Sequence, residues 1–528
     1  MYRVYKIDIS PVHSMYEYFE KACIANTNLY NRALFVCRQV LSGLGKAPEQ
    51  RQKNEREVLA EIEKQLPKMQ ERRKKGGSFA MPVKGHEALS YEFLNSFFYV
   101  SEDENYFASV FPRQCSQQTL KQVYQDMKSF YASIREYKLH PEKFQGRPKL
   151  PKYKDKGKPS TFNLTNQTCQ IKTNERGERE LQFPYYNERR QVIPLGEYVQ
   201  SDWRLKQVTV IPQHGKFRIT IILEDGKEEA DIVEAVKNPQ RICAIDLGVK
   251  NFAAMSNNIG KPAMLFKGGV VINANHHCTK YFGKNQSAQA RSAAQKSGNA
   301  QTSGTAQTSD TTETPEMTKQ MKNLLNKRAN ILSDYIHKTS KLIINWCKEN
   351  QIDTLVVGNN KQWKQKAELG KNTGKFEQIP YYRFIKTLEY LCKREGILFK
   401  IQEESYTSKA SFLDNDFIPV YNPASKQTEE FSGRRDNRLY TTKSGRIINA
   451  DLNGSANIGR KAFPEQFTTE NCDILSRPVI IRHPDHYLSK YSKHSPDGDI
   501  GSVMEPVSLP NSFLYNSSVV ADEKLHLK

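Results

Sequence analysis

The chain has 528 residues, 38% hydrophobic and 26% charged, with 28 Gly and 24 Pro. That composition supplies apolar material for sizeable cores and excludes collagen-like, disulfide-scaffold and wholly disordered classes. Lys and Arg number 79 against 58 Asp and Glu, a net charge of +21, so a polyanion, nucleic acid first, is the expected partner. No apolar run approaches the roughly 20 residues of a bilayer span. Charged residues interrupt every apolar stretch of MYRVYKIDIS, so no membrane partner and no signal peptide are expected. Nine cysteines, an odd count with no C-x-x-C pair, argue against a disulfide framework and for a reducing compartment.

The opening MYRVYKIDI reads as a strand. FEKACIANTNLYNRALFVCRQVL has apolar residues at helical spacing, and residues 47–75 continue as a charge-dense helix stopped by the glycines of ERRKKGG. From Gln114, QCSQQTLKQVYQDMKSFYASIREY reads as a long amphipathic helix. FQGRPKLPKYKDKGKPSTF is too rich in Pro and Gly for a helix; extended, basic and aromatic, it suits a surface that tracks a nucleic-acid backbone. A hairpin follows, turning at His214-Gly215.

From Arg241 strands and helices alternate. RICAIDLG, NFAAMSN and MLFKGGVVI read as three strands, TKQMKNLLNKRANILSDYIHKTSKLIINWCKEN as a long basic helix and DTLVVG as a buried strand. IPYYRFIKTLEYLCKREG then reads as a helix, ILFKIQEE as a strand and NADLNGSANIGRKAF as a last helix. This is the element order of an RNase H-like fold. Between Lys284 and Glu316 there is no Val, Ile, Leu, Phe, Tyr or Met, so that stretch is expected to be a flexible insertion. Beyond about Phe467 no periodicity remains, and an irregular tail is expected.

Two carboxylates stand out. Asp246 in AIDLG follows a buried apolar run, where a charge is costly unless a cation meets it. Asp451 in INADLNGSANI opens the last helix and, taken alone, reads as an N-cap. Together they suggest a site in which acids from the first strand and last helix hold two Mg²⁺ ions for phosphodiester hydrolysis.

AIDLGVKNFAA, LVVGNNKQWKQ, EESYTSKASFLDND and INADLNGSANI, in this order, resemble the transposon-encoded TnpB nucleases, the miniature type V CRISPR effectors and the eukaryotic Fanzor proteins. The likeness runs to about residue 465, with YNRAL, QQTLKQVYQDMKSFY and GRPKLPKYK similar to that family's recognition and wedge regions. It implies a multidomain protein of α/β plus α+β class, in which an RNase H-like (RuvC) nuclease domain accompanies a β-barrel-like wedge domain and a helical recognition domain. The expected boundaries are wedge at 1–25 and 141–238, recognition at 26–140 and nuclease at 239–405, containing the 284–316 insertion. A degenerate zinc-ribbon-like lobe at 406–447, the last RuvC helix at 448–466 and an irregular tail at 467–528 complete the chain. The implied activity is Mg²⁺-dependent cleavage of double-stranded DNA at one RuvC-type site, guided by RNA, with protein contacts reading a short target-adjacent motif. A bacterial cytoplasmic protein working at the nucleoid, monomeric, is the matching expectation.

This chain departs from the family in two places. The family's usual second carboxylate closes the strand before the central helix, where this sequence has Gly358. Some relatives carry a relocated Glu three residues before a Thr-Ser pair. Glu404 holds that position, with Glu403 as the alternative, expected on the opposite strand face. The family's zinc-ribbon cysteines fall on Ser411, Asp414, Thr441 and Ser444, so no zinc is expected.

Candidate nucleic-acid contacts are Gln117, Gln118 and Lys121 for the flanking duplex motif, and Lys149, Lys152, Tyr153 and Lys154 in the basic segment. Lys319, Lys322, Lys327, Arg328, His337 and Lys338 on the long helix, with Trp363 and Lys364 after it, are candidates for the guide or heteroduplex. Two rival functions stay open: a nuclease-inactive RNA-guided repressor, and a RuvC-like nuclease that needs no guide.

Overall fold

A computed structural model describes residues 2–73, 78–110, 112–196, 199–226, 238–299, 317–359, 378–420, 430–471 and 473–485. The chain divides into two compact units that meet at Gly226/Lys227.

The N-terminal unit opens with β1 (Tyr2–Ile9) and the helices α1 (Tyr16–Leu44), α2 (Lys53–Arg72), α3 (Tyr91–Val100) and α4 (Arg113–Leu139). Leu29, Ala33, Val36 and Val40 of α1 recur at helical spacing and bury against Leu59 and Ile62 of α2, Leu94 and Phe97 of α3 and Leu120 and Val123 of α4. Glu55 ties α2 to the end of α1 by accepting from Gln52 N (2.8 Å), Ser42 Oγ (2.6 Å) and Lys46 Nζ (2.6 Å).

The basic segment after α4 is extended, as expected, and is pinned to α1. Asn31 exchanges two 2.8 Å hydrogen bonds with the Lys154 backbone, Asn26 donates to Ser160 Oγ (2.9 Å), and Thr27 donates to the Lys158 carbonyl (2.8 Å). Then come β2 (Phe162–Thr165), β3 (Gln170–Thr173), β4 (Arg179–Tyr186), β5 (Arg189–Pro194), β6 (Arg204–Gln213) and β7 (Lys216–Glu224). They form two antiparallel sheets, β1-β7-β6-β2 and β3-β4-β5. The β6–β7 hairpin turns at His214 and Gly215, both at positive φ (47° and 76°), the geometry that matches strand twist.

The second unit is built on β8 (Ile242–Leu247), β9 (Asn251–Asn257), β10 (Met264–Lys267), α5 (Gly269–Asn299), α6 (Lys319–Glu349), β11 (Thr354–Gly358), α7 (Tyr381–Glu395) and β12 (Leu398–Gln402). It continues with β13 (Arg434–Asp436), β14 (Leu439–Thr441), β15 (Ile447–Asn449), α8 (Ala450–Ala462) and β16 (Val479–Ile481). The main sheet has the order β12-β11-β8-β9-β10-β16. β8, β11 and β12 run parallel, β9 is antiparallel to both its neighbours, and β16 is parallel to β10.

Strand alternation divides the core. Cys243, Ile245, Met255, Leu355 and Val357 face Tyr335, Ile343, Phe384 and Leu388 of α6 and α7. Ile242, Ala244, Ala254 and Val356 face Leu452, Ala456 and Ile458 of α8.

Three expectations are corrected here. MLFKGGVVI is not one strand, because β10 ends at Lys267 and α5 starts at Gly269. Residues 284–299 are helical rather than loop; an Ala- and Gln-rich sequence without large apolar residues builds no core yet keeps helix propensity. Residues 300–316 lie outside the described residues. The tail is not wholly irregular either, since Val479–Ile481 adds a strand to the sheet.

Candidate active site

Asp246 lies near the C-terminal end of β8, paired with Ala254 of β9. Alternation places it on the same sheet face as Ile242 and Ala244, the face covered by α8. α8 sits close because its contact residues are small. Ser455 Oγ donates to the Ala244 carbonyl (2.8 Å) and meets Ser256 Oγ at 2.8 Å. At Gly454, a Cβ would come within 2.8 Å of Asp246 Oδ2, so only glycine permits the approach.

The N-cap of α8 is Asn449, whose side chain accepts from Asp451 N (3.0 Å) and Leu452 N (3.3 Å). That replaces the capping role a lone reading assigns to Asp451, whose carboxylate is turned to other partners. It accepts from Asn251 Nδ2 (2.7 Å) and from the Arg435 guanidinium (3.1 Å). Asn251 in turn accepts from Lys267 Nζ (2.7 Å).

β12 ends at Gln402, level with Gly358, so Glu403 and Glu404 stand beyond the strand. Their separation therefore comes from the following turn and not from strand alternation. Glu403 accepts from Ser405 N (2.6 Å) and from Lys461 Nζ (2.6 Å), and Lys461 also donates to the carbonyls of Ser405 (3.0 Å) and Pro419 (3.2 Å). This brace turns Glu404 inward. A Cβ on residue 358 would overlap Ile458 Cδ1 and lie 2.8 Å from Glu404 Oε2. The Glu404 carboxylate thus occupies space that a side chain at 358 would enter.

The electrostatics agree with this convergence. Burial first, then the charges of Glu404 and Asp451, push the Asp246 carboxyl well above its ordinary range, while Arg435 pulls it back. Burial, with Glu403 beside it, pushes Glu404 up to about 7, and Lys461 opposes that shift. An all-oxygen set in which Glu404 and Asp451 raise the proton affinity of Asp246 is of the kind that suits a hard divalent cation. Among the described residues, no group of three or more His, Cys, Asp or Glu is placed so as to hold a metal ion.

The lobe before α8 is knotted by hydrogen bonds at the family's zinc positions. Asp414 accepts from Ser411 Oγ (2.6 Å) and Lys443 N (2.8 Å), and Asp416 accepts from Ser411 N (2.7 Å) and Ser432 N (3.0 Å). Ser444 Oγ pairs with Thr442 Oγ1 (3.0 Å), and Thr441 lies in the β13-β14-β15 sheet.

Lys121, Lys149, Lys152, Lys319 and Lys327 are exposed; Gln117, Gln118 and Lys322 are half-buried. Tyr153 is exposed, with the Arg38 guanidinium over its ring. Four candidates make contacts within the protein. Lys154 turns inward, 4.0 Å from the Tyr30 ring centre, and burial lowers its amine to about 8. Arg328 donates to Asn275 Oδ1 (2.7 Å), Lys338 pairs with Asp334 and Asp485 (both 2.9 Å), and His337 is buried against Arg383. Trp363 and Lys364 lie outside the described residues. Sequence reasoning missed Asn251, Lys267 and Arg435; only Asn251, five residues after Asp246 in the same motif, left a signal.

Residues 220–364 match the family described as "probable transposase" OrfB_IS605, and residues 381–458 match the Cas12f1-like TNB domain. Over these two stretches the chain resembles the TnpB transposases. The two matches cover Asp246, Gly358, Glu404 and Asp451. No curated protein matches.

Solved structures similar to it include a Cas12f1–sgRNA–target DNA complex (14% identity, TM-score 0.27, 87% of this chain and 100% of that one). A CRISPR-Cas12f ternary complex matches at 14% identity and TM-score 0.24, over 83% of this chain and 81% of that one. Alicyclobacillus acidoterrestris C2c1 with single-guide RNA matches at 9% identity and TM-score 0.34, over 82% and 70%. At these scores the overlap says nothing about individual residues. No described helix is long and apolar enough to cross a membrane.

Proposed function

We propose that this TnpB-like chain is an RNA-guided, Mg²⁺-dependent endonuclease that cuts double-stranded DNA at one RuvC-type site made of Asp246, Glu404 and Asp451. The observation that carries the reading is the position of Glu404, whose Oε2 lies 2.8 Å from where a Cβ on Gly358 would stand. The family's second acid is missing from its strand, and another carboxylate fills the same space. The order β10-β9-β8-β11-β12, with α8 across one face, supports an RNase H-like nuclease domain.

Mg²⁺ bound there supplies water activation and neutralises the leaving oxygen. Asp246 and Glu404 contribute oxygen ligands from the sheet side, and Asp451 contributes one from the helix side. Asn251 fixes the Asp451 rotamer. The basic surface supplies backbone attraction, while guide pairing supplies target sequence and protein contacts read the flanking motif. We further propose that the protein works as an intracellular monomer, that Lys121 and the exposed lysines 149, 152, 319 and 327 touch nucleic acid, and that the lobe carries no zinc.

The test uses the full chain purified with its RNA. Asp246→Ala and Asp451→Ala should each abolish cleavage of a matched duplex in Mg²⁺ while guided binding stays within about threefold of wild type, because each change removes a carboxylate and no cation. Equal loss of binding would make both residues structural. A wild type that binds but never cuts would leave the repressor reading.

A further inference from the structure

β16 brings the start of the C-terminal tail to the candidate nuclease site. The register Met264↔Val479, Leu265↔Ile480, Phe266↔Ile481 makes Lys267 and Arg482 the next residues out from the same end of the sheet. Phe266 and Ile481 belong to the core on the α6–α7 side, the β9–β10 register shifts between Phe266 and Lys267, and Arg482 stands just beyond β16. Lys267 turns toward α8 and Asp451, because its Nζ donates to Asn251 Oδ1 at 2.7 Å and Asn251 donates to Asp451 Oδ2 at 2.7 Å.

A third cation comes from the lobe. Arg438 follows the β13–β14 turn at Asn437, which has φ 51°, and its carbonyl accepts from Ala450 N at 2.8 Å. Its backbone is thereby fixed one residue from Asp451. Arg438 and Arg482 are exposed and Lys267 is half-buried. Burial first, then Arg438 and Arg482, lower the proton affinity of the Lys267 amine, and Asp451 opposes them, in keeping with the backbone placement of the three residues. Three like charges drawn together from distant segments repel one another, and an anion among them removes that cost.

We propose that Lys267, Arg438 and Arg482 form a cradle for one backbone phosphate of the DNA strand being cut, beside the scissile phosphate and next to Asp451. The inference rests on the nuclease reading of Asp246, Glu404 and Asp451 and adds a substrate contact to it. Guanidinium forks match phosphate oxygens in pairs, and a contact of this kind ignores base identity. That suits an enzyme whose target sequence is read by a guide.

The experiment is single-turnover cleavage by the RNA-loaded full chain, on target duplexes carrying one neutral methylphosphonate at a time along the cut region. Wild type should lose about tenfold or more at one phosphate near the cut, the size expected for a charge-assisted hydrogen bond. Arg482→Gln and Arg438→Gln should each slow cleavage of ordinary DNA by a similar factor and show little further loss at that same phosphate. Arg482→Lys should recover part of the rate. Mn²⁺ binding to the RNA-free protein, followed by electron paramagnetic resonance, should match wild type in both Gln variants, as should the thermal midpoint.

The proposal is overturned if both variants cut at the wild-type rate, or if the methylphosphonate penalty persists in them unchanged. Loss of RNA loading in either variant also overturns it, by assigning the cradle to the guide. Failure of the nuclease reading looks different: Asp246→Ala would then cut normally.

Discussion

Gly358 and Glu404 define the site together, and they do so through space. A Cβ at 358 overlaps Ile458 Cδ1 and reaches 2.8 Å from Glu404 Oε2. Even Gly358→Ala should therefore displace the acid and overpack the α8 face, costing about 1–3 kcal/mol in urea unfolding and most of the cleavage rate. Gly358→Glu should not restore activity to Glu404→Gln, because Ile458 blocks the new side chain. Glu404→Gln itself should cut as poorly as Asp246→Ala, since the amide keeps the shape but loses the charge two Mg²⁺ ions require. Glu403→Gln should slow cleavage by less than about tenfold. Its amide oxygen can still accept from Ser405 N, while its NH2 cannot accept from Lys461, so one charge-assisted contact is lost. Single-turnover rates for the four variants decide the matter, and normal cutting by Glu404→Gln with a dead Glu403→Gln would move the ligand to 403.

At the scale of elements, hydrogen bonds hold the lobe before α8. Asp416 accepts from the backbone of Ser411 and of Ser432, sixteen residues away in sequence. Asp416→Ala should leave those N–H groups to water and destabilise the lobe by about 1–3 kcal/mol, read as a lower thermal midpoint. Chelation followed by excess Mg²⁺ should leave the wild-type midpoint unchanged, and a zinc content of one ion per chain would contradict this. Most elements were legible in the sequence because helical or alternating periodicity was strong, as in Leu332–Ile344 of α6 or Leu355–Val357 of β11. The α5 extension carries no large apolar residue and rests on helix propensity alone, while β16 is an apolar run of only three residues, Val479–Ile481, defined by pairing with β10, a partner more than 200 residues away. Asp246 and Asp451 could be read from their motifs, and Glu404 from its distance to Thr407-Ser408. Lys267 and Arg435 could not, because only folding brings them to Asn251 and Asp451.

At the scale of the whole molecule, charge and architecture meet. Two compact units, each with its own cores, carry a net charge of +21. Cations already spent internally, such as Lys154 against Tyr30, Arg328 on Asn275 and Lys461 on Glu403, contribute little to binding a polyanion. Lysines and arginines such as Lys149, Lys152, Lys319, Lys327, Arg438 and Arg482 are exposed and, under the proposed function, are the ones available to phosphates. Each phosphate neutralised releases counterions, which lowers the logarithm of affinity by about 0.7–0.9 per unit of log salt. RNA binding measured between roughly 0.1 and 0.5 M KCl should therefore fall with a slope of about −4 or steeper. Neutralising Lys149 and Lys152 together should reduce that slope by about 1–2, whereas Lys154→Met should leave it unchanged, because that amine is already turned inward. Cleavage by the preassembled complex should respond less, because Asp246 and Glu404 sit in desolvated surroundings where salt screens weakly. A salt-independent affinity would mean that the excess charge serves solubility alone. Equal slopes for the Lys149/Lys152 and Lys154 variants would remove the basic segment from the binding surface.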